Sequence, residues 1–358
     1  MNARTLFAVF LAVLLAGCTH LGPQTVTRDR FDYNTAISDS WKQQTLLNIV
    51  KIRYADMPLF VEVASIVSGY TLEGSVNLAG TLSSGDSVQG DLLSLGSGGK
   101  YTDRPTITYA PITGSHFNTS FMTPIPPRAI LFLMQSGWPA DLIFPLTVDS
   151  VSGLRSKIIA GANQRTGDPD YYRVVELLRK IQKSGAIGMR IKQSSDAQDA
   201  TVMFFHRETL SPEMQADLEE AGRLLGLKSG LREATISYGF LPGSDTEIAF
   251  LTRSMLQIMI DLATRIDVPP EHVARGLTLP SLVADTPGSP QANQLLKVRY
   301  SKDYPAGALT AVKYRDYWFW VDDGDFLSKR TFAFLMILFS LTETGGKEGL
   351  PLVTIPAS

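Results

Sequence analysis

The sequence predicts an α+β protein, because segments with helical and strand periodicity follow one another in mixed order rather than as a regular parallel βαβ array. The composition agrees with a folded chain: of 358 residues, 44% are hydrophobic and 19% are charged, and the mean hydropathy is +0.04. These values exclude a wholly disordered chain and a polytopic membrane protein. The formal net charge of −2 shows no basic excess, so nucleic acid is not an expected partner.

Residues 1–17 predict an export signal peptide. Arg4 precedes an apolar run of eleven residues from Leu6 to Ala16. This run is shorter than the roughly 20 residues of a membrane-spanning helix and has the length of a signal-peptide core. It ends in Leu15-Ala16-Gly17-Cys18, which resembles the bacterial lipobox. The resemblance implies cleavage between Gly17 and Cys18 and acylation of Cys18; the alternative is an ordinary secretory signal.

Cys18 is the only cysteine of the chain, so no intrachain disulfide can form. Acylation there would provide a stable membrane anchor, since two or more acyl chains hold a protein firmly. Thr19 follows, where an aspartate would resemble an inner-membrane retention signal. We therefore expect the outer membrane, with the chain facing the periplasm. Residues 18–32 are polar and include Gly22 and Pro23, so they are expected to form a lipidated tether.

Residues 33–155 are predicted to contain the first helix and a β-hairpin region. Apolar residues at helical spacing predict a helix from Tyr33 to Asp56, which Pro58 ends. Residues with high strand propensity predict strands from Pro58 to Val67 and from Thr106 to Ala110.

The segment from Tyr70 to Leu82 has the most regular pattern of the chain. Apolar residues and glycine occupy every second position, which is the period of a strand with one apolar face. We expect an antiparallel hairpin over 70–95, with its turn near Ser84-Gly85 and a weaker return strand over 87–95. An isolated two-stranded ribbon is only marginally stable, so this face must pack on its own domain, on another copy or in lipid.

A domain boundary is expected between Gly153 and Asp168, and residues 168–358 are predicted to form an α+β domain with an antiparallel or mixed sheet. Residues 141–154 are apolar and fit either type of element. Further helices are expected over 128–135, 170–183, 212–225, 252–266, 271–275 and 327–341. Further strands are expected over 189–192, 201–206, 234–240, 247–251, 296–300, 310–314, 317–321 and 352–355.

The sequence assigns no catalytic residue. The four histidines lie far apart and form no i, i+4 pair of metal ligands: His20, His116, His206 and His272. The chain contains neither a G-x-S-x-G nucleophile elbow nor a phosphate-binding glycine loop. We therefore predict no cofactor and no bound metal, and we favour a protein that is not an enzyme.

Two other segments could carry chemistry. Asp322-Asp323-Gly324-Asp325 is acidic enough to bind Ca²⁺, but it lacks the spacing of a calcium loop. We predict a tight turn in which Asp325 caps the helix over 327–341. Trp318 and Trp320 are predicted to share one face of a strand, and they form a candidate ligand or partner surface because aromatic strips stack sugars as well as filling cores.

Several segments together resemble a group of uncharacterised lipoproteins of Gram-negative bacteria. The segments are LLNIVKIRYADMPLFVEVASIVSGYTLEGSVNLAG, DRPTITYAPITGSHF, TPIPPRAILFLMQSGWPADLIF and YRDYWFWVDDGDFLSKRTFAFLMILFSL. This resemblance covers most of the chain after Cys18. It implies an envelope location and transfers no catalytic residue.

The sequence is compatible with three functions. The first is a non-enzymatic scaffold or adaptor, anchored through acylated Cys18 and bound to another envelope protein. The second is an oligomeric envelope or pore assembly, in which copies of the chain share the 70–95 hairpin. The third is a hydrolase of envelope polysaccharide or peptidoglycan with a dispersed pair of carboxylates.

Acylation of Cys18 is directly testable. Mass spectrometry of the mature N-terminus should show an acylated cysteine, and Cys18→Ser should release the chain from the outer-membrane fraction. A Cys18→Ser chain that stays in that fraction with an unchanged mature mass would contradict the prediction.

Overall fold

The computed structural model describes residues 21–67, 69–81, 92–158, 165–192, 200–205, 210–280 and 295–342. Helices and strands follow one another in mixed order, which confirms the predicted α+β class. The signal peptide, the lipobox, the expected turn at Ser84-Gly85 and the expected strand over 352–355 lie outside these residues.

The helices agree well with the sequence pattern after residue 113. They are α1 (Leu21–Arg53), α2 (Gly114–Phe117), α3 (Pro127–Gln135), α4 (Ala140–Thr147), α5 (Pro169–Ser184), α6 (Pro212–Leu224), α7 (Met255–Ala263), α8 (Pro270–Ala274) and α9 (Phe326–Thr342). A π-helical turn (Asn118–Met122) follows α2.

Four of the described strands lie within residues 61–111, and the other nine are spread between residues 148 and 322. They are β1 (Val61–Val67), β2 (Tyr70–Thr81), β3 (Leu92–Asp103), β4 (Thr106–Pro111), β5 (Val148–Val151), β6 (Leu154–Arg155), β7 (Ile187–Lys192), β8 (Ala200–Phe205), β9 (Glu233–Tyr238), β10 (Glu247–Thr252), β11 (Arg299–Ser301), β12 (Ala308–Tyr314) and β13 (Tyr317–Asp322). The ambiguous segment 141–154 divides between α4 and the strands that follow it.

The chain divides into two compact units at other positions than the sequence predicts. One unit contains the described residues of 21–58 and 113–342, and the other contains those of 59–112. The boundary expected between Gly153 and Asp168 falls inside the larger unit, because β5 pairs with β10 about a hundred residues further along the chain. The expected division into 33–155 and 168–358 is thus corrected.

A six-stranded mixed sheet forms one part of the larger unit. Its strand order is β6-β5-β10-β9-β8-β7. β9 and β10 run parallel, and the other neighbours pair antiparallel, which confirms the expected mixed sheet. Helix α5 packs against α4 and α6 beside this sheet.

Tyr171 of α5 joins these helices to the sheet. It is fully buried, and its hydroxyl donates to the carbonyl oxygens of Phe144 and Val148, each at 3.0 Å. The Phe144 ring meets that of Phe250 in β10, with centroids 5.8 Å apart. One buried hydroxyl therefore bonds to two backbone carbonyl oxygens at the junction between α4 and β5, where a helix changes directly into a strand.

A three-stranded antiparallel sheet, ordered β11-β13-β12, forms the other part of the larger unit. Helices α1 and α9 pack on it, and α7 packs against α1. Leu46, Ile49 and Val50 of α1 are completely buried. The C-terminal third of α1 is thus a core helix, whereas residues 28–43 are exposed or half-exposed.

Helix α1 begins well before the predicted Tyr33. Residues 21–32 are helical, so the expected tether over 18–32 is wrong for this part. In the sequence alone, Pro23 favours an irregular tether. Proline is tolerated in the first turn of a helix, because the backbone N–H groups there have no partner within the helix. The helix ends with the Asp56 N–H donating to the Lys51 carbonyl at 2.9 Å and with Ala55 in the left-handed region, at φ 55°.

The smaller unit contains a long two-stranded ribbon. β1 pairs with β4 and β2 pairs with β3, both antiparallel, and the Arg104 N–H donates to the Gly69 carbonyl at 2.9 Å between the two pairings. The twelve pairs of β2 and β3 run without a shift from Tyr70 with Asp103 to Thr81 with Leu92. The predicted hairpin pairing is confirmed, but the return strand lies at 92–103 rather than 87–95.

Side chains cap α6 and α9, and the cap of α9 by Asp325 is the predicted one. Ser211 accepts from the Met214 N–H at the start of α6. Asp325 accepts from the Ser328 N–H at 3.2 Å and from the Ser328 hydroxyl at 2.8 Å, so it caps α9. The pKa of Asp325 lies below its usual value, because these hydrogen bonds outweigh the opposing effect of burial.

Among the helices that the structure describes, none combines the length and the apolarity needed to cross a bilayer.

The Asp325 cap gives a measurable contribution to stability. Asp325→Ala should lower the free energy of unfolding by about 1 kcal/mol, because two donors at the start of α9 lose their acceptor. Urea denaturation followed by circular dichroism would measure this loss. Asp323→Asn is the matched control, since it removes only an exposed ion pair with Lys329 and should cost about 0.5 kcal/mol or less. Equal costs for both variants would contradict the cap.

Candidate functional site

The structure places the predicted site residues in very different settings. Gly17 and Cys18 lie outside the described residues. His116 is half-exposed in the short helix α2, His206 is outside the described residues, and His272 is buried in α8 with 3% of its surface exposed. Of the histidines that the structure describes, only His272 belongs to a dense side-chain cluster.

Trp318 and Trp320 lie on the central strand of the three-stranded sheet and share one face, as predicted. Both are half-buried, whereas Tyr317 and Phe319 on the opposite face are buried. The Tyr304 ring meets Trp318 edge-on at 4.9 Å between centroids. This face is therefore partly covered, and its role as a ligand or partner surface stays a prediction.

The Trp320 side of this face carries a cation. The Arg299 guanidinium lies 5.5 Å from the Trp320 ring centroid and 3.5 Å from an Asp322 carboxylate oxygen. A guanidinium stacked on indole and paired with a carboxylate has both of its usual interactions. The arrangement stabilises the strand pair β11–β13 without requiring a ligand.

A second group of aromatic residues surrounds Tyr54, at the end of α1. We call Tyr54, His272, Tyr314, Arg315 and Tyr317 the Tyr54 cluster. The Tyr54 hydroxyl lies 2.7 Å from Nδ1 of His272, and the His272 ring meets the rings of Tyr54 and Tyr317 edge-on, at 5.5 and 5.2 Å. The cluster thus joins α1, α8 and the β12–β13 hairpin around one imidazole.

The outer hydroxyls of the Tyr54 cluster pair with carboxylates. Tyr314 donates to Asp56 at 2.8 Å, and Tyr317 donates to Glu271 at 2.7 Å. The hydrogen bond from Tyr314 holds the pKa of Asp56 below its usual value. These bonds fix the start of the segment after α1 and the start of α8 to the same β-hairpin.

Arg315 completes the Tyr54 cluster from a strained turn. Arg315 and Asp316 both have left-handed backbones, at φ 48° and 67°, as a two-residue type I′ hairpin requires. Its guanidinium carbon lies 5.4 Å from the ring centroid of Tyr54 and 5.5 Å from that of Tyr314. Cation–π attraction to two rings helps to offset the strain of a bulky residue in this conformation.

The electrostatics of the Tyr54 cluster keep the side chains of Tyr54 and His272 neutral. Burial raises the pKa of Tyr54 to about 12. Burial also lowers the pKa of His272, and Arg275 and Arg315 add to this effect while Glu271 only partly opposes it. A neutral imidazole that is already bonded through Nδ1 and is almost fully buried is a structural group rather than an accessible base.

A buried charge network lies elsewhere in the larger unit, around Arg253. Its guanidinium approaches Asp261 at 3.8 Å and Asp149 at 3.9 Å. Arg265 pairs with Asp261 at 3.0 Å, and Arg165 pairs with Asp149 at 3.0 Å. Three arginines therefore neutralise two carboxylates, and breaking such a buried network is strongly destabilising.

A cavity of about 310 Å³ adjoins this network, and Asp149 and Asp261 both line it. Two carboxylates that converge on one cleft are the arrangement that the hydrolase hypothesis requires. Here each carboxylate is already paired with a guanidinium, and Arg253 lies against both. The geometry describes two carboxylates that are paired with three arginines rather than an acid and a base facing a substrate.

Charged residues within a mostly apolar segment of the sequence indicate this network, although hydrophobic periodicity alone does not reveal it. Arg253, Asp261 and Arg265 interrupt a mostly apolar segment, and the last two are four residues apart, with Asp261 in α7 and Arg265 just after it. Charges in a segment that must be buried require partners of opposite sign. Asp149 comes from β5, about a hundred residues earlier in the chain, so the complete set depends on the fold.

A further cavity, of about 520 Å³, lies between the end of α1, α7 and the segment after α8. Arg53 is part of its lining, and we call it the Arg53 cavity. The Arg53 guanidinium donates to the Leu279 carbonyl at 2.7 Å, and the Thr278 hydroxyl donates to the Arg53 carbonyl at 2.7 Å. Much of the remaining lining is aliphatic: Ile52, Ile260, Ala263, Val273, Leu277 and Leu279.

Over the described ranges, no group of three His, Cys, Asp or Glu side chains could hold a metal ion. Comparison with known proteins adds no name to this geometry: no family model, no curated protein and no solved structure matches the chain.

The buried imidazole predicts a pH dependence of stability. Because the pKa of His272 is lowered in the folded protein, the unfolded chain binds this proton more readily, and stability should fall as the pH drops below about 6.5. Urea denaturation between pH 8 and pH 5 should show this loss, with a slope of at most about 1.4 kcal/mol per pH unit from this group.

Two variants separate this effect from other titrations. His272→Gln should remove the corresponding part of the pH dependence, whereas Tyr54→Phe keeps the imidazole and should keep the dependence while lowering stability at every pH. Parallel pH profiles for the wild type and His272→Gln would show that His272 is not responsible.

Proposed function

We propose that the protein is a lipid-anchored, periplasm-facing component of the outer membrane that acts as a non-enzymatic scaffold or adaptor. Its partners are membrane lipid, through acylated Cys18, and another envelope protein. That protein binds the two-stranded ribbon in which β2 pairs with β3, which we call the ribbon. The lipobox and the resemblance to Gram-negative lipoproteins support the anchor. The ribbon is the observation that carries the scaffold function.

The ribbon forms few of the contacts that usually stabilise a sheet. β2 alone spans about 40 Å at 3.3 Å per residue. Among the described strands, no third strand pairs with either edge of β2–β3. A two-stranded ribbon of this length is marginal alone, and strand edges without a paired strand are where a partner chain can add.

The register of the ribbon separates polar from apolar positions. Glu73 pairs with Lys100 and Asn77 pairs with Gly96, and all four residues are exposed. The alternate positions carry the apolar pairs Leu72 with Tyr101 and Leu78 with Leu95. Since alternate positions of a strand belong to opposite faces, one face of the ribbon is polar and the other is rich in apolar residues.

Helix α1 supports an anchor that holds the protein away from the membrane. Its first residue, Leu21, follows Cys18 by three positions. Residues 21–44 precede the buried third of the helix and span about 36 Å at 1.5 Å per residue. A helix of this length keeps a lipid anchor and the larger unit apart more rigidly than a polar tether would.

The same ribbon favours an oligomeric assembly as the second candidate. In that case the partner is another copy of the chain, and the apolar faces or the edges of several ribbons meet one another. Both candidates require the apolar residues on one face of the ribbon. They differ in the partner: the adaptor binds a different protein, and the assembly binds further copies of the same chain.

Substitutions on the two faces of the ribbon test the proposal. Leu78→Asp places a carboxylate at an apolar register position and should reduce crosslinked assemblies in isolated membranes by about tenfold, since burying an unpaired charge costs more than 1.4 kcal/mol. Asn77→Asp, one residue away on the polar face, is the matched control and should leave the crosslinking pattern unchanged.

Mass spectrometry of the crosslinked species distinguishes the candidates. A second, different envelope protein supports the adaptor function, whereas masses at multiples of the chain support the shared assembly. If Leu78→Asp and Asn77→Asp give the wild-type pattern alike, the ribbon is not the partner surface and the proposal fails.

A further inference from the structure

We propose that the Arg53 cavity binds a single acyl chain with an anionic head group, and that Arg53 pairs with the anion. The inference concerns the larger unit alone and does not depend on the function of the ribbon.

The size and lining of the cavity fit an acyl chain. Small-molecule sites usually occupy about 300–1,000 Å³ and are mostly apolar, with few polar groups that fix orientation. The Arg53 cavity has a volume of about 520 Å³ and offers aliphatic side chains from three directions: Ile52 of α1, Ile260 of α7 and Leu277 after α8. Such walls provide hydrophobic contacts and no directional bond for a polar ligand.

The polar groups of the lining have their hydrogen-bonding needs met by the protein, with one exception. The Thr264 hydroxyl donates to the Asp261 carbonyl at 2.7 Å, and the Thr278 hydroxyl donates to the Arg53 carbonyl. Arg53 is the exception: its buried Nε has no hydrogen-bond acceptor, and one terminal nitrogen bonds only to the neutral Leu279 carbonyl.

The charge of Arg53 is unmatched within the cavity. Among the described residues that line the cavity, none carries a carboxylate, and burial lowers the pKa of Arg53. The Arg253 network shows the opposite case, in which buried guanidinium groups face Asp149 and Asp261. An anion from outside would supply the missing partner, and guanidinium binds carboxylate and phosphate through paired hydrogen bonds.

The ligand is therefore amphipathic, with its apolar part against the aliphatic wall and its anion at Arg53. A cationic amphiphile would meet an uncompensated guanidinium, and a neutral alcohol would leave that charge without a partner. Carboxylate and phosphate head groups share the required chemistry, so both belong in the test.

Calorimetric titration with three matched twelve-carbon amphiphiles tests the inference. The chain from residue 18 onward, carrying Cys18→Ser, is suitable because it has neither the apolar signal peptide nor an acyl group. Below their micellar concentrations, dodecanoate or dodecyl phosphate should bind with one site per chain, dodecanol should bind about tenfold more weakly, and dodecyltrimethylammonium more weakly still. The stronger of the two anions identifies the head group.

Two variants locate the anion. Arg53→Met keeps an unbranched apolar side chain and should weaken binding of the anion about tenfold, to the level of dodecanol. Lys51→Met removes a positive charge from the same helix at a residue that does not line the cavity, and it should bind like the wild type. Circular dichroism checks that each chain is folded; if Arg53→Met is not, Arg53→Lys should give a smaller loss.

The inference is overturned if neither anion binds, if dodecanol or the cationic amphiphile binds as tightly as the anions, or if Lys51→Met and Arg53→Met weaken binding equally. The comparison of anionic, neutral and cationic amphiphiles uses the chain with Arg53 intact. It therefore tests the inference even if an Arg53 variant is unstable.

Discussion

The docking of α1 is the contact on which the larger unit depends. Leu46, Ile49 and Val50 are completely buried between the three-stranded sheet and α7. Immediately after them, Tyr54 joins His272 of α8. Without this helix, the sheet would lose a covering layer, and the imidazole would lose the hydroxyl that satisfies Nδ1. One short stretch of helix therefore holds together elements that come from both ends of the chain.

This docking also determines where chemistry is available. Around Tyr54 and Arg253, buried polar groups meet partners from the protein itself: hydroxyls bond carboxylates, and guanidinium groups face acids. Such pairing stabilises a fold, although at Asp261 only one carboxylate oxygen is paired and Oδ1 has no hydrogen-bond partner. The end of α1 differs, because Arg53, its last residue, lines an apolar cavity without an acid partner there, whereas the next residue, Tyr54, bonds to His272. The Tyr54 hydroxyl thus has a hydrogen-bond partner, whereas Nε of the neighbouring Arg53 has none.

Much of the fold was predictable because local rules determine its elements. Period-two and period-3.6 patterns located most strands and helices, and Ser211 and Asp325 cap the expected helices. Local rules failed where the structure of a segment depends on a partner that is distant in sequence, or where a residue that usually breaks a helix is tolerated. Pro23 suggested a tether but lies in the first turn of a helix. The glycine-rich β3 has no period of its own and is a strand because β2 pairs with it. The Arg253 network needs Asp149 from a distant strand.

The bond between Tyr54 and His272 has a consequence for how the chain folds. The two residues are 218 positions apart, and Asp56 and Tyr314 are separated by 258. At the usual pace of translation, about 5–20 residues per second, His272 emerges on the order of 10–40 seconds after Tyr54. Throughout this interval the apolar stripe of α1 has no docking surface. High contact order slows folding, so a nascent chain of this design needs protection from aggregation until its last third has appeared.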